Sequence, residues 1–384
     1  MTSSIVPASV AAVLLAVVVS GCGGSDSGAA GEVREAAALQ VSAAGWKTDF
    51  SKHTVPLSEF RSGGPGRDGI PPIDKPRTIS QKEADKFLDD REPVLVVEQG
   101  QAVRAYPVQI LIWHEIVNDE LGGRPIAVTY CPLCNSSVVF DRRVDDRVLT
   151  FGTTGNLRKS DLVMWDRQTE SWWQQLSAEA VVGELSGERL EVLPSQTLSW
   201  ADFRRSFAEG DVLSRDTGFE RDYGRNPYVG YDERDAQPFL LDGEADDRLP
   251  AKEHVIAVFV DDDRPLVIPF SRLAREPAVN AQSGGTPLVA LYKQGVVSPL
   301  DNAAISRSKD VGTSAAFDRR VDGRTLAFRA AGGRYEDRQT GSTWDITGRA
   351  IKGPLKGQRL RPLRHDQQFW FALAAFLPDA QILR

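Results

Sequence analysis

Sulfur is scarce in this chain: 384 residues contain three cysteines and two methionines. Long apolar runs are scarcer still. After the first 19 residues no stretch approaches the roughly 20 apolar residues that a membrane-crossing helix needs. Positive charge is not concentrated anywhere, and the net charge is −7, so there is no basic stripe for nucleic acid to follow. The chain also lacks the Gly-Lys-Ser/Thr order of a phosphate-binding loop. No Ser–His–Asp arrangement has local support. Charged residues make up 26% and apolar ones 41%, which is ordinary for globular domains and long enough here for two cores. Because thiols are so few, the two that stand three apart in Thr129-Tyr-Cys-Pro-Leu-Cys-Asn135 call for a reason.

The N-terminus predicts the compartment. Val10–Val19 is too short to span a bilayer and reads as the apolar core of a secretory signal, 1–21. Val19-Ser20-Gly21-Cys22 looks like a lipobox, which implies lipidation of Cys22 and a membrane anchor on the extracytoplasmic face. No Lys or Arg precedes the apolar run, a departure from the usual signal. Residues 22–45, rich in Gly, Ala and Ser, read as a flexible tether.

Beyond the tether the chain repeats itself. Phe140-Asp-Arg-Arg-Val-Asp-Asp-Arg-Val-Leu-Thr-Phe151 returns as Phe317-Asp-Arg-Arg-Val-Asp-Gly-Arg-Thr-Leu-Ala-Phe328. Asp166-Arg-Gln-Thr169 returns as Asp337-Arg-Gln-Thr340, and Trp200 falls on Trp370. These matches predict two tandem homologous domains, 92–215 and 253–384, preceded by an extension, 46–91, packed on the first. A Tyr/Gly/Pro-rich connector, 216–252, joins them. Each copy reads as an α+β, β-rich unit. Val94–Val97 and Ile126–Tyr130 are strand-like, Asp145-Asp146 and Asp322-Gly323 mark hairpin turns, and Leu198–Phe207 has helical spacing.

The comparison of copies sorts residues. What both keep belongs to the shared scaffold. What one copy alone carries is the better candidate for chemistry. Cys131 and Cys134 fall opposite Lys293 and Val296, His114 falls opposite Glu276, and Thr154–Asp161 is contracted by six residues in the second copy.

Three readings of the cysteine pair compete. A structural disulfide is the default outside the cytoplasm, but closing a loop of about four residues contributes only about 2 kcal/mol. The second copy, moreover, is built without it. A dithiol redox centre needs a depressed thiol pKa, commonly from a helix N-terminus, whereas the strand-like Val138-Val139-Phe140 follows this pair. The third reading, a soft-metal site for copper or zinc, is the favoured expectation: Cys131 and Cys134 on a turn between strands, with His114 as third ligand. Glu115 or Asp161 would then act as general base or as a partner to a ligand. Gly152–Asp161 could alternatively cradle an anion with Arg158 or Lys159, although a surface loop is the plainer expectation. Trp113, Trp165, Trp172, Trp173, Tyr223, Tyr228 and Tyr231 read as core rather than a stacking platform, although the connector tyrosines, Tyr223, Tyr228 and Tyr231, could wall a pocket.

Trp113-His-Glu-Ile-Val-Asn-Asp119, Thr129–Asn135, Asp161-Leu-Val-Met-Trp-Asp-Arg-Gln-Thr169 and Asn226-Pro-Tyr228 resemble the signature stretches of domain of unknown function 3179. The resemblance covers most of the chain after the tether. It implies an exported protein with a Cys-Pro-Leu-Cys centre and assigns no activity.

Overall fold

A computed structural model of the protein describes residues 39–260 and 264–384. The predicted signal segment, Cys22 and most of the tether lie outside the described residues. The fold is β-rich, and its longest helices are the seven-residue Val108–His114, Trp200–Ser206 and Trp370–Phe376. Among the described residues no helix is long and apolar enough to cross a membrane.

Alternation of side chains explains the first strands. β1 (Pro93–Gln99) pairs antiparallel with β2 (Ala102–Pro107). Val94, Val96 and Ala105 join one apolar cluster, while Leu95, Val97 and Tyr106 join another. A strand covered on both faces has no polar face, which is why its sequence is continuously apolar. β2 runs into helix α1 (Val108–His114), then β3 (Ile116–Leu121), β4 (Arg124–Cys131) and β5 (Ser136–Asp141). These last three form one sheet with Val192–Leu193 added at its edge. β6 (Phe151–Arg158), β7 (Asp161–Asp166) and β8 (Trp172–Gln174) form a third sheet, extended by Phe60–Ser62 and Glu179–Val182.

The element order recurs later. His254–Phe259, Leu266–Pro269, a short helix at Phe270–Leu273, then Ala278–Ser283, Thr286–Lys293 and Thr313–Asp318 follow one another as β1 to β5 do. The sheet partners recur as well, with Arg361–Pro362 beside Thr313–Asp318 where Val192–Leu193 lies beside β5. Asp322–Gly323 forms the expected tight turn, with φ of 49° and 74°. The segment predicted as helical from Leu198 starts instead at Trp200. Leu198 completes strand Ser195–Ser199, and Ser199 caps the helix, its Oγ accepting from Asp202 N at 3.1 Å.

The halves do not keep separate cores. Val94, Val96, Trp200 and Phe203 share a cluster with Val289, Leu291, Ala315 and Phe317. Phe369, Phe371 and Ala372 sit in the cluster built around β3, β4 and β5. The boundary read from the sequence therefore divides the chain, not the hydrophobic interior. The extension contributes a smaller cluster in which Trp46, Phe50 and Phe60 meet Trp172 edge-on, each at 5.2 Å between ring centroids.

Candidate functional site: two hairpin turns and a cavity

The first turn carries the cysteines. β4 and β5 pair so that Cys131 stands opposite Ser136, which leaves Pro132-Leu-Cys-Asn135 as the connection. Asn135 adopts φ 48° and its N–H donates to Pro132 O at 3.2 Å, closing the turn. Tyr130 Oη donates to Asn135 Oδ1 at 3.0 Å. From the second half, Phe369 N–H donates to Cys134 O at 2.9 Å. Both thiols are free and buried. A turn between strands thus presents the pair, as the sequence predicted, and Phe369, which bonds Cys134 O, is the N-cap residue of the helix Trp370–Phe376.

The second turn joins β6 to β7. Arg158 pairs with Asp161 across a two-residue connection, Lys159-Ser160, whose φ values are 53° and 68°. This hairpin carries Asp161 to the thiols. Cys134 Sγ lies 3.5 Å from Asp161 Oδ1 and 3.6 Å from Ser160 O. Asp161 Oδ2 accepts from Gln174 Nε2 at 2.6 Å and from Leu176 N at 3.0 Å. One sulfur each from Cys131 and Cys134 and one oxygen from Asp161 all lie within 4.8 Å of one another, and all three residues are buried.

Glu115 completes the assembly. It follows α1 with φ 57°, its N–H donating to Leu111 O at 2.7 Å, a left-handed position that usually goes to glycine. The reversal turns its carboxyl toward a cavity of about 370 Å³ that Cys131 also lines. Strain held at a non-glycine residue beside a cavity is a recurrent mark of function. Burial and then the Asp161 charge push the Glu115 carboxyl up to about 8. Burial raises Asp161 to about 6 against the hydrogen bonds from Leu176, Gln174 and Cys134. Burial also raises both thiols, Cys134 well above its ordinary value.

The structure does not bring His114 into this group. Its Nδ1 lies 2.7 Å from Pro71 O and its Nε2 2.6 Å from Tyr223 Oη, so both ring nitrogens are engaged away from the sulfurs. The reason is local: the chain reverses at Glu115, and the next side chain takes the cavity. Asp161, expected as a base or supporting partner, stands where a third ligand would.

Arg158 and Lys159 line a second cavity together with Arg189 and Arg364, and each also holds a partner within the protein. Their segment is strand and turn rather than surface loop. Arg158 pairs with Glu59 at 2.7 Å, and Lys159 Nζ donates to Ala375 O at 2.9 Å. Tyr228 and Tyr231, with Phe239, do wall the cavity from the connector. In the second half Lys293 occupies the strand end equivalent to Cys131 and pairs with Asp202. Its later hairpin, Phe328–Ala331 with Arg334–Asp337, is shorter and closes at Gly332-Gly333. Among the described residues the cluster has no second copy.

The family model described as "Protein of unknown function (DUF3179)" matches residues 67–380. The chain belongs to that family. The match spans both halves and every residue of the cluster, so the site lies within the family's domain rather than in an appended segment. No curated protein and no solved structure matches the chain.

Proposed function

We propose that the protein binds one zinc ion through Cys131, Cys134 and Asp161 and uses it for metal-assisted chemistry in the adjoining cavity. The observation that carries this reading is the convergence of three donors from two separate hairpins, within 4.8 Å and buried. Burying three acidic groups together is costly unless a cation neutralises them. The hydrogen bonds to Asp161 come from neutral donors, Gln174, Leu176 and Cys134. On a tetrahedral zinc such donors stand roughly 3–4 Å apart, so a contraction of about 1 Å would complete the site. Copper and zinc were equal expectations while the third ligand was an imidazole. A carboxylate is a hard donor, and with two thiolates it favours zinc over cuprous copper. Three protein ligands leave a fourth position, and Glu115 on the cavity wall would move protons there.

The raised thiols argue against a thiolate nucleophile in the metal-free state. One observation favours a second reading, dithiol redox chemistry: Asp161 lies against Cys134 and could take its proton. Anaerobic purification, reconstitution with zinc and with copper, and metal analysis separate the two. One zinc per chain, lost in Cys131→Ser and Asp161→Asn, supports the metal reading. Protein that stays metal-free with both ions, but equilibrates its thiols with glutathione, supports the redox one.

The recurring element order, with the recurring sequence, supports descent from a duplicated scaffold of which the second copy is degenerate. The same reading places the protein outside the cytoplasm, anchored through lipidated Cys22. Cys22→Ala protein that still fractionates with membranes would contradict the anchor.

A further inference from the structure

The cavity beside the cluster has its own chemistry. Ile70, Leu133, Leu157, Leu162 and Phe239 give it a mostly apolar wall, and no Lys, Arg or His lines it among the described residues. Some polar side chains of that wall are satisfied within the protein. Thr153 Oγ1 donates to Ile70 O at 2.9 Å, and Tyr231 Oη accepts from Phe239 N at 3.2 Å. Three are not. Glu115, Asn156 and the half-buried Tyr228 line the cavity, and their side chains make no hydrogen bond to any described residue. Cys131 lines the same cavity as these three residues. Buried polar groups are nearly always paired, and three left open around one apolar space mark where a ligand's polar end belongs.

We infer that this cavity binds a small neutral molecule, mostly apolar, with an amide or ester carbonyl at one end. A carbonyl oxygen accepts from groups that stand open: the Asn156 amide and the Tyr228 hydroxyl donate. An anion would meet no cation on the wall and would face the buried acids of the cluster. The apolar body would lie against Leu157, Leu162 and Phe239. As a substrate assignment this rests on the zinc reading; as a binding site it does not.

Fluorescence titration with N-(2-naphthyl)acetamide tests the inference, with 2-naphthoate and 2-naphthylmethylammonium as charged counterparts of similar shape. Metal-free protein should bind the amide saturably, one per chain, at least tenfold more tightly than either charged probe, and zinc-loaded protein should also bind the amide saturably. Leu157→Trp, which fills the cavity, and Phe239→Ala, which opens its wall, should each weaken binding tenfold or more. Glu115→Ala should weaken it about tenfold. Absence of saturable binding, equal binding of a charged probe, or unchanged affinity in folded Leu157→Trp and Phe239→Ala overturns the inference. Amide binding without zinc uptake would sink the zinc reading and leave this one standing. Zinc uptake without amide binding would do the reverse.

Discussion

Asp161→Asn should stabilise the metal-free protein while removing its zinc site. Asp161 is buried, and its carboxyl titrates at about 6 rather than 3.8. A folded-state pKa raised above the unfolded value favours the protonated form. The resulting stability is fully present below pH 4 and is lost as pH rises through about 6. The gap between those two values is equivalent to about 3 kcal/mol at pH 8, an upper bound for a group whose surroundings can relax. Asparagine cannot ionise, and its Oδ1 can still accept from Gln174 and Leu176, which now serve Asp161 Oδ2. Chelated Asp161→Asn should therefore exceed wild type by up to about 3 kcal/mol in urea unfolding at pH 8 and match it at pH 4. Zinc at 100 times its dissociation constant should then raise wild type by about 2.7 kcal/mol and leave the variant unmoved. A stabilising substitution that abolishes binding identifies a residue kept for function at the expense of the fold. If Asp161→Asn instead unfolds more easily at pH 8 and zinc does not stabilise wild type, Asp161 is structural and the reasoning fails.

Three further outcomes follow from local geometry. His114→Ala should retain one zinc per chain by metal analysis yet lose about 1–3 kcal/mol in urea unfolding, because Pro71 O loses its partner and Tyr223 Oη is left with Thr217 Oγ1 alone. Glu115→Gly should gain about 1 kcal/mol in the same assay by relieving the left-handed backbone at φ 57°, and it should weaken naphthylacetamide binding. Gly155→Ala should lose several kcal/mol or fail to fold, read by circular dichroism and thermal melts. The added Cβ would lie 1.9 Å from Pro65 O at φ 76°, where the extension crosses the bulge in β6.

Much of the scaffold was legible because its signals are local. The β-branched run at Val94–Val97, the Asp-Gly turn at 322–323 and the Cys-Pro-Leu-Cys connection each declare their conformation within a few residues. What the sequence hid was how the two halves of the chain share an interior. Val94 and Val96 on one face and Leu95 and Val97 on the other feed different clusters, and nothing along the chain says which distant strand covers each. The third member of the cluster, Asp161, was half-visible. A comparison of copies flagged both His114 and the six-residue excess before Asp161. Residue type favoured the imidazole, whereas the backbone reversal at Glu115, one residue on, decided for the carboxylate. That reversal has no glycine to announce it.

The excess length of β6 and β7 then explains why only one half carries the cluster. In the second half the equivalent hairpin closes at Gly332-Gly333 after four-residue strands. In the first half eight residues of β6, with a bulge between Thr153 and Leu157, reach further before turning at Lys159-Ser160. The extra reach does two things together. It lays Asp161 against Cys134, and it places Asn156 and Leu157 on the cavity wall beside Cys131. The proposed third ligand, Asp161, and part of the cavity wall therefore come from one continuous extension, and shortening it should remove both. Deleting six residues, 154–159, to copy the second half should leave a folded chain that takes up neither zinc nor naphthylacetamide. Circular dichroism and metal analysis would check this. Zinc uptake surviving that deletion would show that the cysteines find their third ligand elsewhere.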